Sequence, residues 1–167
     1  MGQWLIWGGA TLEEVTEPVD YTQHIINPSF EYNLNYGWTN NGMQVQNNNE
    51  NNARKTGKYY CEKWVNTDNS LPDASITQTV TGLQDGDYLL TATCHAERQN
   101  MNREVTGVWL MAGDNKTPVT VTDTYAVVAT ASAGELAIGF GCQNTDANWI
   151  TVDNFQLKWI GSSDENN

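Results

Sequence analysis

The chain is expected to fold as an all-β protein, an antiparallel two-sheet β-sandwich of the jelly-roll kind, and three observations carry that expectation. From Tyr21 onward the apolar residues recur with period 2 in short runs, as strands half-buried in a sheet require, and helical periodicity is nowhere sustained. Gly, Asn, Asp and Pro separate the runs, the residues that turn a chain. A length of 167 residues suits one domain, because a chain of about this size buries roughly 68–70% of its unfolded surface, enough for a two-sheet core without disulfides.

Taken in order, residues 1–19 read as a linker: Gln3-Trp-Leu-Ile-Trp7 is short, and Thr11-Leu-Glu-Glu14 has a capping-box-like start but too little length for a stable helix. The sandwich is expected over 20–161 and a disordered tail over 162–167. Candidate strands are 24–32, 43–47, 58–65, 74–82, 86–97, 104–112, 117–121, 124–132, 134–143 and 148–159. The Asn-rich interval 39–52 has little apolar content and is expected to be a mobile loop. The clearest strand pair flanks Gln84-Asp-Gly86, whose Asp-Gly supplies a turn. Cys61, Cys94 and Cys142 are an odd number without zinc or redox spacing, each in a strand-like run, and are expected to be buried free thiols.

Successive strand side chains alternate across a sheet. In 86–97 this puts Tyr88, Leu90, Ala92, Cys94 and Ala96 inward, and Leu89, Thr91, Thr93, His95 and Glu97 outward. In 104–112, with Val108, Leu110 and Ala112 inward, Trp109 faces out beside Gly107 as a platform for a pyranose; the reverse parity would bury it. In Lys58-Tyr-Tyr-Cys-Glu-Lys-Trp64, placing Cys61 inward points Tyr60, Glu62 and Trp64 out together, so that aromatic rings can stack on a sugar while the carboxylate accepts from vicinal hydroxyls. The alternative is that Trp64 covers the sandwich edge. In Glu135-Leu-Ala-Ile-Gly-Phe-Gly-Cys-Gln143 the outward set is Ala137, Gly139, Gly141 and Gln143, a floor without walls that a ligand or a neighbouring backbone can approach closely. Trp149 and Trp159 share parity with Phe155 and Leu157 and read as core.

Twenty acidic residues against eight basic ones give a net charge of −12, which repels nucleic acid and anionic membranes. No apolar run is long enough for a membrane span and no signal-peptide pattern is present, so Met1-Gly2 reads as the start of a segment cut from a longer parent. Seven Trp and seven Tyr against three Phe favour rings with a flat apolar face and a polar edge, which neutral sugars need. There is no Gly-x-Ser-x-Gly, His-Glu-x-x-His or phosphate-cradling Gly-Lys-Ser/Thr. The chain therefore reads as a binding module, not an enzyme.

Two segments frame the domain, Asp20-Tyr-Thr-Gln-His-Ile-Ile-Asn-Pro-Ser-Phe-Glu31 and Asn148-Trp-Ile-Thr-Val-Asp-Asn-Phe-Gln-Leu-Lys-Trp159. They read as its first and last strands, which a jelly roll brings side by side, so Glu31 and Asp153 can meet and a shared cation would explain both acids. Through Asn27-Pro-Ser-Phe-Glu31 and Val152-Asp-Asn-Phe155 the chain resembles the calcium-containing, galactose-binding-like β-sandwich modules of bacterial polysaccharide-degrading enzymes, nearest the xylan-binding modules of family 10 xylanases from gut bacteria. That resemblance implies a structural Ca2+ held by Glu31 and Asp153, although relatives often carry a second acid where this chain has Asn154. It also implies a cleft for xylan or a related β-linked polysaccharide, a covalently linked glycoside hydrolase, a monomer, and an extracellular or cell-surface location. The residues assigned to the cleft by strand parity are Trp64, Trp109, Tyr60, Glu62, His95, Glu97 and Gln143. The other reading is a protein-interaction or architectural sandwich without glycan binding.

Overall fold

The computed structural model describes residues 3–7, 11–15, 17–32, 36–47 and 56–162. Its strands are β1 (Gln3–Trp7), β2 (Thr11–Val15), β3 (Val19–Asp20), β4 (Thr39–Asn41), β5 (Gln44–Gln46), β6 (Tyr60–Trp64), β7 (Ala74–Val80), β8 (Gly86–Glu97), β9 (Val108–Ala112), β10 (Asn115–Pro118), β11 (Asp123–Ala131), β12 (Leu136–Cys142) and β13 (Trp149–Gly161). One sheet runs β10-β9-β12-β7-β4 and the other β11-β8-β13-β6-β5, with β3 on β13. Every pairing among the described strands is antiparallel. The fold is therefore the two-sheet sandwich expected from the period-2 runs.

The core lies between the sheets. Tyr88, Leu90, Ala92, Cys94 and Ala96 of β8 face Ile76, Val80, Leu110, Ile138 and Phe140 of the other sheet, all buried in one cluster. All three cysteines are buried free thiols. Burial pushes the Cys61 and Cys94 thiols well above their ordinary range, because a thiolate is poorly solvated there. No helix among the described residues is long and apolar enough to cross a membrane.

Several elements differ from the sequence reading. Within the expected linker, β1 and β2 pair as a hairpin of their own. The expected strand at 24–32 is a 3-10 turn at Thr22–His24 followed by irregular chain, since Asn27 and Phe30 take positive φ of 56° and 60°. Side chains replace the sheet ladder there: the Ile26 amide donates to Gln78 Oε1 at 2.7 Å and Gln78 Nε2 donates to the Ile26 carbonyl at 2.9 Å. The segment nonetheless lies along β13, with Tyr21 N donating to Leu157 O at 2.8 Å and Phe155 N to Pro28 O at 3.0 Å.

The Gln84-Asp-Gly86 connection is not a hairpin, because β7 and β8 belong to different sheets. Gly82 (φ 73°) and Gly86 (φ 137°) carry the chain across the sandwich, and Leu83 N donates to Gly134 O at 3.1 Å. The interval 39–52 holds β4 and β5, joined by a turn in which the Asn40 side chain bonds both the amide and the carbonyl of Met43. Its positions 48–52 lie outside the described residues, as do 163–167 of the expected tail. In β13 the register shifts between Asp153 and Gln156, with Asn154 at φ 56°. The bulge reverses parity. Phe155 and Leu157 therefore point into the core while Trp149 and Thr151 look away from it.

Candidate sugar-binding surface

Strand alternation puts Trp109 and Met111 of β9 half-buried on the outer face of the five-stranded sheet, with Val108, Leu110 and Ala112 beneath them in the core. The antiparallel register sets Trp109 opposite Gly141 and Pro118, and Met111 opposite Gly139 and Lys116. A groove of about 290 Å3 opens there, its sides formed by Trp109, Lys116, Asn41, Asp73, Ser75 and Gln143 over Gly141. Lys116 Nζ sits 4.1 Å from the Trp109 ring centroid, a cation–π contact worth about 0.5–1 kcal/mol at an exposed site. The groove thus offers an indole and a mixed set of donors and acceptors on a shallow floor. Such a surface can stack on a flat ring and hydrogen-bond its polar substituents.

The glycines of the floor have a backbone reason. A Cβ on Gly141 would lie 2.4 Å from the Ala74 carbonyl oxygen, and one on Gly139 would lie 2.8 Å from that of Ile76, so β12 sits too close to β7 for any side chain. Gly107 is likewise set by backbone: it takes φ 79°, and a Cβ would meet Gln143 O at 2.6 Å. This glycine seats the start of β9 against the 143–145 turn, and Gln143 N donates to Gly107 O at 2.9 Å.

Five of the seven residues assigned to a cleft lie on the opposite side of the molecule, on the outer face of the six-stranded sheet. Pairing aligns Trp64 with Trp149 and Glu97, then Gln44 with Glu62, Thr151 and His95. The parity is as read, but the expected exposure is not. Tyr60 is fully buried, His95 is 2% exposed and Glu62 is 8% exposed. Polar contacts hold them in place: Trp149 Nε1 donates to Glu62 Oε2 at 3.0 Å, the Tyr60 hydroxyl donates to the same oxygen at 3.4 Å, and His95 packs edge-on to Trp149 at 4.4 Å. Trp64 is exposed, its Nε1 donating to Gln99 Oε1 at 2.9 Å. Hence the seven do not share one trough.

Two further cavities follow, each sharing lining residues with the one before it. One of about 360 Å3 lies on the other side of Trp109, between 104–109 and 118–120. The next, of about 390 Å3, shares Glu104 and Thr120 with it and reaches His95, Glu97 and Arg103. His95 Nε2 lies 3.4 Å from Glu97 Oε1 there, and its Nδ1 meets the Thr122 hydroxyl. Asp146 pins the wall, accepting from Arg103 Nη1 at 2.5 Å and from the Thr106 amide at 2.8 Å. Partial burial opposes its charge, but the Thr106 and Arg103 hydrogen bonds win and hold the carboxyl below the usual range. Sequence reasoning found Trp109, Gln143, His95 and Glu97 but missed Asn41, Asp73, Ser75, Lys116, Glu104 and Thr120. The overlooked signal was Gly113-Asp114 between two alternating runs, a two-residue hairpin that sets Lys116 across from Met111.

Glu31 and Asp153 both bond the turn before β6. Glu31 Oε1 accepts from the amides of Lys58 and Tyr59, each at 2.9 Å, while buried Asp153 accepts from the amides of Thr56 and of Asn154, the latter at 2.8 Å. Calcium wants six to eight oxygen ligands. Here all four carboxylate oxygens face N–H donors, and the described residues contain no cluster of three or more acids, His or Cys suited to a metal. The two carboxylates clamp the backbone of 56–59.

No protein-family model and no curated protein matches this sequence. Solved structures match in fold. TmCBM61 in complex with β-1,4-galactotriose aligns with TM-score 0.58 and 21% identity, over 78% of this chain and 94% of that one. A family 35 carbohydrate binding module from Clostridium thermocellum aligns with TM-score 0.51 and 18% identity, over 85% and 98%. The Stig cyclase Fisc from Fischerella sp. TAU, in complex with a pyrrolidinylidene indole, aligns with TM-score 0.58 and 15% identity, over 88% and 100%. At these identities the likeness is one of fold: the chain shares an antiparallel two-sheet β-sandwich with carbohydrate-binding modules and with a cyclase.

Proposed function

We propose that the chain is a non-catalytic carbohydrate-binding module that holds a β-linked polysaccharide, xylan foremost, in the Trp109 groove. The observation that carries this reading is the half-buried indole beside a glycine floor, rimmed by Asn41, Asp73, Ser75 and Gln143. A pyranose stacks its C–H face on such a ring while its hydroxyls meet the polar rim. Xylose lacks an exocyclic CH2OH group, so a chain of it lies low in a shallow groove. The fold shared with TmCBM61 and the family 35 module supports a sugar ligand, but fold alone does not assign function, and a cyclase shares it. Among the described residues lining the groove Asp73 is the one carboxylate, so the carboxylate pair of a glycoside hydrolase is not assembled there.

In this reading the module acts outside the cell or at its surface, tethered to a glycoside hydrolase whose effective substrate concentration it raises. Calorimetric titration with xylohexaose, cellohexaose and mannohexaose tests it, on the natural chain and on Trp109→Ala. Losing one stacked ring is expected to cost about 1–3 kcal/mol, or roughly 5- to 150-fold in affinity, with the fold intact. Absence of binding to all three sugars, or an unchanged affinity in Trp109→Ala, would refute the proposal.

A further inference from the structure

We infer that one polysaccharide chain occupies all three linked cavities, leaving the Trp109 groove, passing between Glu104 and Thr120, and turning round the edge of the sandwich to end at Glu97. The inference rests on the sugar-binding reading above and extends it from a groove to a bent track. Trp109 lines both the first cavity and the second, and Glu104 and Thr120 line both the second and the third. The three therefore form a series. Each is near the lower end of the roughly 300–1,000 Å3 typical of small-molecule sites, so a ligand that fills the series is a chain of several sugars.

The track is rigid at its joints. Asp146 fixes Arg103 and Thr106 on one wall. On the other, the Tyr125 hydroxyl accepts from the amides of Thr120 and Val121 at 3.1 Å each, and Val119 N donates to Val108 O at 2.9 Å. A preformed track orders little on binding, which favours affinity.

Its charges select the ligand. Both cations along the way are engaged, Arg103 by Asp146 and Lys116 by the Trp109 ring, whereas Asp73, Glu97 and Glu104 line the path. With a net charge of −12 over the whole chain, the track favours a neutral polysaccharide over one rich in uronates. Trp109 and His95 sit on the outer faces of opposite sheets, so the bound chain must bend. A single soluble chain can do so; a crystalline surface cannot.

The test compares xylotriose with xylohexaose by calorimetry on the natural chain, on Thr120→Arg, which fills the second junction, and on Glu97→Ala, at the far end. Cello- and manno-oligosaccharide pairs run in parallel, and thermal melts verify that the variants fold. The hexasaccharide is expected to bind about tenfold or more tighter than the trisaccharide, and each variant is expected to reduce that advantage to roughly twofold. Equal affinity for the two lengths, or a length advantage that both variants keep, overturns the track while leaving the Trp109 groove standing. Absence of binding in every series removes both.

Discussion

Replacing Gly141 by Ala tests the contact that shapes the groove floor. The new Cβ would stand 2.4 Å from the Ala74 carbonyl oxygen, 2.8 Å from Ser75 Cβ and 2.9 Å from Ser75 Cα. Ordinary contact begins at 3.4 Å, so β12 and β7 must part by 3.4 − 2.4, or about 1 Å, at this pair. The obstacle is backbone, which cannot rotate aside as a flexible side chain can. Overpacking of this kind costs about 1–3 kcal/mol, and the entropy gained by replacing glycine returns only about 0.4–1 kcal/mol. The net expectation is a loss of roughly 1–2 kcal/mol, which for a domain of this size is about 2–8 °C in Tm. Scanning calorimetry and urea unfolding measure it, and calorimetric titration reports the accompanying loss of sugar affinity as the floor rises by a methyl. Gly139→Ala, with its nearest obstacle at 2.8 Å, is expected to cost less. If Gly141→Ala matches the natural protein within about 0.5 kcal/mol, the size of an inconsequential surface change, the strands are not packed as tightly as described and the backbone explanation of the floor fails.

Three other perturbations follow from the hydrogen bonds. Glu31→Ala strips the acceptor from the Lys58 and Tyr59 amides and is expected to lower stability by about 1 kcal/mol in urea unfolding, since those amides are near solvent. Calcium or a chelator is expected to leave Tm unchanged, whereas a saturating ion would add about 2.7 kcal/mol at 100 times its Kd; a clear calcium-dependent rise would replace the clamp by an ion site. Asp146→Asn is expected to lower stability at neutral pH by less than about 1 kcal/mol, because the Arg103 pair is near the surface. Its carboxyl is held below the ordinary 3.8 in the folded state, so the stabilisation is complete above that value and lost as pH falls through the depressed one. Urea midpoints of the two proteins should therefore converge in acid. A constant gap at every pH would assign the effect to shape instead of charge.

Period-2 alternation was enough to read the sandwich, because each long strand has one face in the core. Strand β8 shows this in full, from Tyr88 through Ala96. Pairing was harder, since alternation states which way a side chain points but not which sheet it belongs to. Trp109 and Tyr60 both project outward from strands, yet they lie on opposite sheets. Irregular backbone was hardest to read: Asn27 and Phe30 at positive φ end a run that otherwise looks like a strand, and the shift at Asn154 turns Trp149 away from Phe155. Burial of Glu62 and His95 could not be read because residues distant in the sequence supply their polar partners, Trp149 to Glu62 and Thr122 to His95.

Residues Asp20 and Lys158 stand directly across from each other in the β3–β13 pair. Facing Cα atoms in antiparallel strands are only about 4.5–5.5 Å apart, so the polypeptide enters and leaves the sandwich at a single doorway. A unit hung on such a doorway can be spliced into a surface turn of another protein without forcing the host's flanking segments apart.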